Sequence, residues 1–213
     1  AGALAVAVAA VAVWRSPAPP AEPAPLEYVE AGACRDCHID IWNSSMRTGM
    51  GRSFFKLRGD NLVEPWNGPE FRHQASNRLY AMIERDGRYF QRRRQIGPGG
   101  ADENVYEKEI HYVMGSGNHV RTYLHRKANG ELVELPLAWY SEGGGRWGMN
   151  PGYDRAGHEG FQRLIGFDCM FCHNAYPPMA PGADRAGRPV VYPEKLPEGI
   201  DCQRCHGPGA EHL

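Results

Sequence analysis

One pentapeptide constrains this chain more than any other feature. Cys-x-x-Cys-His occurs three times, as Cys34-x-x-Cys37-His38, Cys169-x-x-Cys172-His173 and Cys202-x-x-Cys205-His206. All six cysteines of the chain fall inside these motifs. The pattern is that of covalent c-type haem attachment. On a helical turn, cysteines three apart lie on one side, and each can form a thioether with one haem vinyl group. The following histidine comes round to about the same side and offers a ring nitrogen to the iron. Zinc ribbons pair two Cys-x-x-Cys knuckles and need no histidine after each, and a redox dithiol needs one copy rather than three. The expectation is three covalent haems, with Cys34, Cys37, Cys169, Cys172, Cys202 and Cys205 as attachment points and His38, His173 and His206 as proximal ligands.

Three large flat cofactors change what a chain of 213 residues needs for a core. With 26 glycines and 17 prolines, the composition is rich in turn formers and poor for long regular elements. The expected fold class is therefore α+β with low regular secondary structure, its short helices and β-hairpins wrapped around the three haems in place of a conventional protein core. The formal net charge of −1 carries no nucleic-acid signature. Of 24 basic residues all but four are Arg. Arginine clamps carboxylates in bidentate fashion, so some are candidates to hold haem propionates, against the plain alternative that Arg has replaced Lys through genomic composition. Covalent haem attachment takes place outside the cytoplasm, so an exported, periplasmic or extracellular protein is expected. Six cysteines there would otherwise suggest disulfides.

Ala1 to Trp14 form an unbroken apolar run. As a helix it covers about 21 Å, short of a bilayer, and it reads as a signal-peptide core or the end of a membrane anchor, with the true start of the chain missing. Ser16 to Pro25 is a Pro/Ala linker of polyproline type. The division expected is a tail and linker over 1–25 and a trihaem domain over 26–213. A short helix from Ala33 to about Arg47 should carry the first motif, with His38, Trp42 and Met46 on one face, Trp42 against a porphyrin and Met46 a packing residue in preference to an iron ligand. Asp86-Gly87 and Asn129-Gly130 mark two hairpins, one between Leu79–Ile83 and Tyr89–Gln91, the other between Arg121–Leu124 and Leu132–Leu135. Arg92 to Arg94 reads as a solvated strand end. Trp147 to Asp154 has no period and reads as a haem-covering loop.

Nine histidines are present, and six remain for the distal positions: His73, His111, His119, His125, His158 and His212. His212 is favoured. If a new helix starts at Gly207-Pro208-Gly209, six residues turn the chain by about 240°. His212 then faces away from its own haem and serves another. His119 follows Gly115 and Gly117, which let backbone approach a flat ligand. His73 precedes a hairpin strand. His111 is weaker, and His125 and His158 are alternatives.

Taken together, the first motif with Trp42, Ser45 and Met46, then Gly115-Ser-Gly-Asn-His119, then Trp147-x-Met149-x-Pro151-Gly-Tyr153-Asp154, then the third motif with Gly207-Pro-Gly-x-x-His212, resemble one group. It is the multihaem cytochromes related to the tetrahaem electron carriers of ammonia oxidisers, above all those in which the haem module precedes tetratricopeptide repeats. The resemblance runs over roughly residues 30–213. It implies bis-His low-spin haems with His73, His119 and His212 as distal ligands. A fourth motif is absent, so a tetrahaem arrangement does not carry over. No repeats follow Leu213, which reads as a short form, a processed form or a fragment.

The function expected is electron transfer through closely spaced bis-His haems, by a carrier and not an enzyme, with redox proteins as partners. A special version is an end-to-end homopolymer acting as an extracellular conductive filament. Two other readings stand beside it: a haem enzyme reducing a nitrogen or sulfur oxyanion, which needs an open iron, and a subunit tethered to a membrane through residues 1–14 that feeds a respiratory or photosynthetic complex.

Overall fold

The computed structural model describes residues 27–175 and 187–213, together with 177, 179, 180, 182, 183 and 185. The apolar run over 1–14 and the Pro/Ala linker lie outside the described residues. Among those described, no helix is long and apolar enough to cross a membrane.

Twelve labelled elements follow in order: α1 (Ile39–Ser45), β1 (Phe54–Lys56), β2 (Phe71–His73), β3 (Arg78–Arg85), β4 (Arg88–Ile96), β5 (Asp102–Glu109), β6 (Tyr112–Met114), β7 (Val120–Arg126), β8 (Leu132–Tyr140), β9 (Arg146–Met149), α2 (Phe167–His173) and α3 (Gln203–His206). The strands form two antiparallel sheets, one of five strands ordered β1-β6-β7-β8-β9 and one of four ordered β2-β3-β4-β5. Few and short helices beside two sheets keep the fold within α+β of low helix content.

Both expected hairpins form. Arg85 pairs with Arg88 across a two-residue loop, and Asp86 (φ 55°) and Gly87 (φ 71°) are both left-handed. That is the type I′ geometry matching the twist of paired strands. The second hairpin joins β7 to β8, with Gly130 at φ 91°.

The five-stranded sheet has two covered faces. Phe55, Val113, Tyr123, Leu135, Leu137 and Trp139 point to one side and pack with Tyr80, Met82 and Tyr89 of the four-stranded sheet. Phe54, Tyr112, Leu124 and Leu132 point to the other and pack with Ile165, Met170 and Tyr192. The period-2 alternation of strands puts neighbours in sequence on opposite faces. All of β8 except Tyr140 is buried, as a strand covered on both faces must be. The expectation that haems replace a conventional protein core is thereby corrected, because a protein core lies between the sheets. Its composition disguises it. Several of its largest members are tyrosines whose hydroxyls are satisfied internally: Tyr123 on Glu64 (2.6 Å) and Tyr153 on the Glu134 carbonyl (3.3 Å).

Trp147 to Asp154 is also corrected. It begins as β9, paired with β8, and Trp147 joins an aromatic cluster with Trp66, Tyr123 and Trp139. Asn150 is buried, accepting from Thr122 and donating to the Leu135 carbonyl, both at 2.8 Å. The stretch lacks a period because it is a short edge strand followed by a tightly bonded turn.

Candidate metal centres

The first motif does not lie on one continuous helix. A 3-10 turn spans Ala33–Arg35, His38 adopts φ −118° and ψ 44°, and α1 starts only after it. The chain still turns tightly, because His38 N–H donates to the Cys34 carbonyl (3.0 Å) and Trp42 N–H to the His38 carbonyl (2.8 Å). Cys34, His38, Ile41 and Trp42 thus face one groove of about 450 Å³. Its opposite wall is the third motif and the segment after it, with Cys202, His206, Pro208 and His212. Met46 faces a different concavity, beside Phe55 and Arg121.

Across this groove the rings of His38 and His212 stand 6.2 Å apart between centroids, with planes 18° from parallel. That is too far for face-to-face contact. Two imidazoles on opposite sides of one metal, each metal–nitrogen bond about 2 Å, have ring centres about 6 Å apart, so the separation is of the length a shared metal needs. His212 reaches this place by a route other than a new helix. Gly207 (φ 83°) ends α3, and His212 N–H donates to the Gly209 carbonyl in a turn (3.0 Å).

One residue that the sequence did not single out holds the two ends together. The Gln203 side chain is buried between them. Its amide donates to the Val29 carbonyl (2.9 Å), and its oxygen accepts from Val29 N–H (2.9 Å) and Gly209 N–H (3.2 Å). It stands at a variable position of the motif, where spacing gives no signal. The two motifs also meet through their first cysteines: burial, and then the neighbouring Cys34, push the Cys202 thiol up from its ordinary range.

The second motif rides on α2. Met170, between its cysteines, is 2 % exposed and anchors the helix against the five-stranded sheet. The Ser53 hydroxyl lies 2.7 Å from the His173 carbonyl. A groove of about 280 Å³ joins Cys172 and His173 to His119 on the neighbouring loop. The His119 side chain is exposed, and its Nδ1 lies 3.3 Å from Glu142. A carboxylate on Nδ1 leaves Nε2 free for a metal. Gly115 (φ 107°) and Gly117 (φ 86°) answer to the protein itself: a Cβ on them would meet the Val120 carbonyl oxygen at 2.4 Å and Arg121 Nε at 2.6 Å.

The third motif lies between the other two. Its Arg204 guanidinium sits 4.5 Å from the centre of the Phe171 ring and donates to the Asn174 carbonyl (2.9 Å). Ahead of it, Gly199 and Ile200 donate backbone bonds to Phe54 (2.6 Å) and Met50 (3.0 Å). The spatial order is first, third, second.

The other histidines stand elsewhere. His73 has Nδ1 2.7 Å from Ser76 Oγ and Nε2 3.1 Å from the Asp154 carbonyl, and it packs edge-on to His158. None of these partners belongs to a motif, so the structure does not bring His73 to any of them. His158 Nδ1 accepts from Gly160 N–H (3.0 Å), and Nε2 lies 3.2 Å from Tyr80 Oη. His111 and His125 face each other with centroids 5.2 Å apart, and each has its Nδ1 engaged by backbone. Burial lowers the pKa of both. Of the six spare histidines, two lie by a motif.

The donor set of each motif, two thiols and an imidazole, is the set that c-type haem attachment uses. In all three, the first cysteine is half-buried, the second is exposed, and both thiols are free; one cysteine of each motif lines a groove, Cys34 and Cys202 the larger and Cys172 the smaller. Haem iron asks the protein for only two axial ligands, whereas a closed zinc site asks for four. Among the described residues no three His, Cys, Asp or Glu side chains converge to hold a metal ion. No family model, curated protein or solved structure matches the chain.

Proposed function

We propose that this chain is a trihaem c-type cytochrome whose work is electron transfer. The observation that carries the reading is the His38–His212 pair at 6.2 Å, set between two Cys-x-x-Cys-His motifs from distant parts of the chain. Bound haem supplies a one-electron iron couple. The protein attaches each haem by its cysteines and fixes the iron's axial imidazoles. His38 and His212 serve the first haem, and His173 and His119 the second, with Glu142 orienting His119. The third motif, between the other two, makes the route first–third–second. Bis-His ligation lacks the thioether that raises potential, so these two centres titrate low. Attachment of haem places the protein outside the cytoplasm, where its partners are redox proteins.

His206 is the proximal ligand of the third haem. Of the chain's nine histidines, only those already assigned to the first haem share its groove. This favours two readings of its second axial position. A group from a second copy can fill it, which is the filament version, or it stays open to a small molecule, which is the enzyme version.

The deciding experiment is His212→Ala with covalent haem content measured alongside. Three haems per chain are expected before and after. In the variant, one centre that was low-spin becomes high-spin or water-ligated, and its potential rises. Unchanged low-spin signal in the variant rejects the pair, and a haem content other than three rejects the trihaem reading.

A further inference from the structure

The four-stranded sheet bears a cavity of about 310 Å³ whose lining includes no motif residue. Its walls are Arg78 of β3, Arg93 of β4, Tyr106 of β5, and His158 and Phe161 from the segment after β9. Register explains why these residues meet. Tyr80 pairs with Arg93, and Arg93 with Tyr106, so the three form one row across the sheet. Arg78, two residues before Tyr80, shares that face.

Arg92 and Arg94 point to the opposite face, where both reach Asp102 and Arg94 also reaches Glu70. Arg93 has no such partner. Its Nε is buried without a hydrogen bond, and its guanidinium lies 5.6 and 5.8 Å from the centres of the Tyr106 and Phe161 rings. Burial and then the nearby Arg78 lower its pKa. Glu159 also lines the cavity, but its side chain is 51 % exposed and lies 3.6 Å from Arg163. His158 brings no negative charge. Its Nδ1 accepts from Gly160, so its proton sits on Nε2, which faces Tyr80. Two guanidiniums therefore share a concavity with one carboxylate that is turned to another cation. An uncompensated, partly desolvated cation is costly, and a guanidinium matches an oxyanion in bidentate fashion.

We propose that this cavity binds one small oxyanion, a carboxylate or an inorganic tetrahedral anion, between Arg78 and Arg93. The site does not depend on the haem reading. The test is calorimetric titration of the protein as isolated with sodium malonate and, separately, sodium phosphate, at ionic strength held constant with chloride. One anion is expected to bind saturably at one site per chain. Binding should weaken at least tenfold in Arg93→Met and in Arg78→Met. It should be unchanged in Arg92→Met, which removes an equal charge from the other face. Malonate alone would identify a carboxylate ligand, and phosphate alone an inorganic one. No saturable heat with either anion, or equal binding in Arg92→Met and the two cavity variants, overturns the proposal. If Arg93→Met fails to fold, by circular dichroism, the comparison of Arg78→Met with Arg92→Met decides it.

Discussion

Glu64 is the most deeply buried charge between the sheets. Its side chain is fully buried, and it accepts from Arg121 Nη1 (3.0 Å) and Tyr123 Oη (2.6 Å). Removing one member of such a pair strands the other without water. Arg121→Met is expected to cost about 3–5 kcal/mol, read by denaturant unfolding. Glu64→Gln, which keeps a neutral acceptor, should cost less. His158 sets a pH dependence. Burial, and then Arg78, His73, Arg93 and Arg163, hold its pKa down from 6.5 to about 4. The folded protein therefore keeps His158 neutral where the unfolded chain takes up a proton. Its share of stability is present above pH 6.5 and is lost as the pH falls through 4. His158→Gln should flatten the decline of melting temperature over that interval, and an unchanged slope would refute this assignment. At this scale the three Cys-x-x-Cys-His motifs stand out in the sequence, because a fixed spacing repeated three times is visible there. Gln203, Glu64 and Arg93 were illegible, because what matters about them is the partner they meet or lack in space.

At the scale of elements, the Asp86-Gly87 and Asn129-Gly130 turns were readable because left-handed backbone demands particular residues. Gly87→Val should cost about 1–2 kcal/mol, since a Cβ is strained in that conformation. Circular dichroism should show the strand content unchanged. The helix of the first motif was drawn too long because the i, i+4 spacing of His38 and Trp42 survives a break at His38. β9 was missed because a four-residue edge strand offers too few positions for alternation to show. His212 was expected to look away from its own haem because of helical rotation. The structure places it beside His38 by a break at Gly207 instead, so the argument from rotation does not apply.

For the whole molecule, one sheet stands between the four-stranded sheet and the second motif. His73, His111, His125 and His158 are held by residues of the sheets, of the turn between β2 and β3 and of the loop after β9, while His119 and His212 lie by motifs. On the proposed reading, a dilute monomer should show about two low-spin haems for each that is high-spin or water-ligated, by electron paramagnetic resonance. If copies fill the third iron, the high-spin share should fall as protein concentration rises. A fully low-spin spectrum at all concentrations would mean that another side chain reaches that iron. The pairing across the first groove has a consequence for how such a protein is made. Val29 and Gln203, which clamp that groove, are 174 residues apart, and so are His38 and His212. A ribosome adding about 5–20 residues each second delivers the second partner roughly ten to thirty seconds after the first. During that interval His38 has no His212 to face. On the proposed reading, the nascent chain thus passes through a stage in which its earliest cofactor site lacks one axial partner, and the arrival of His212 completes it.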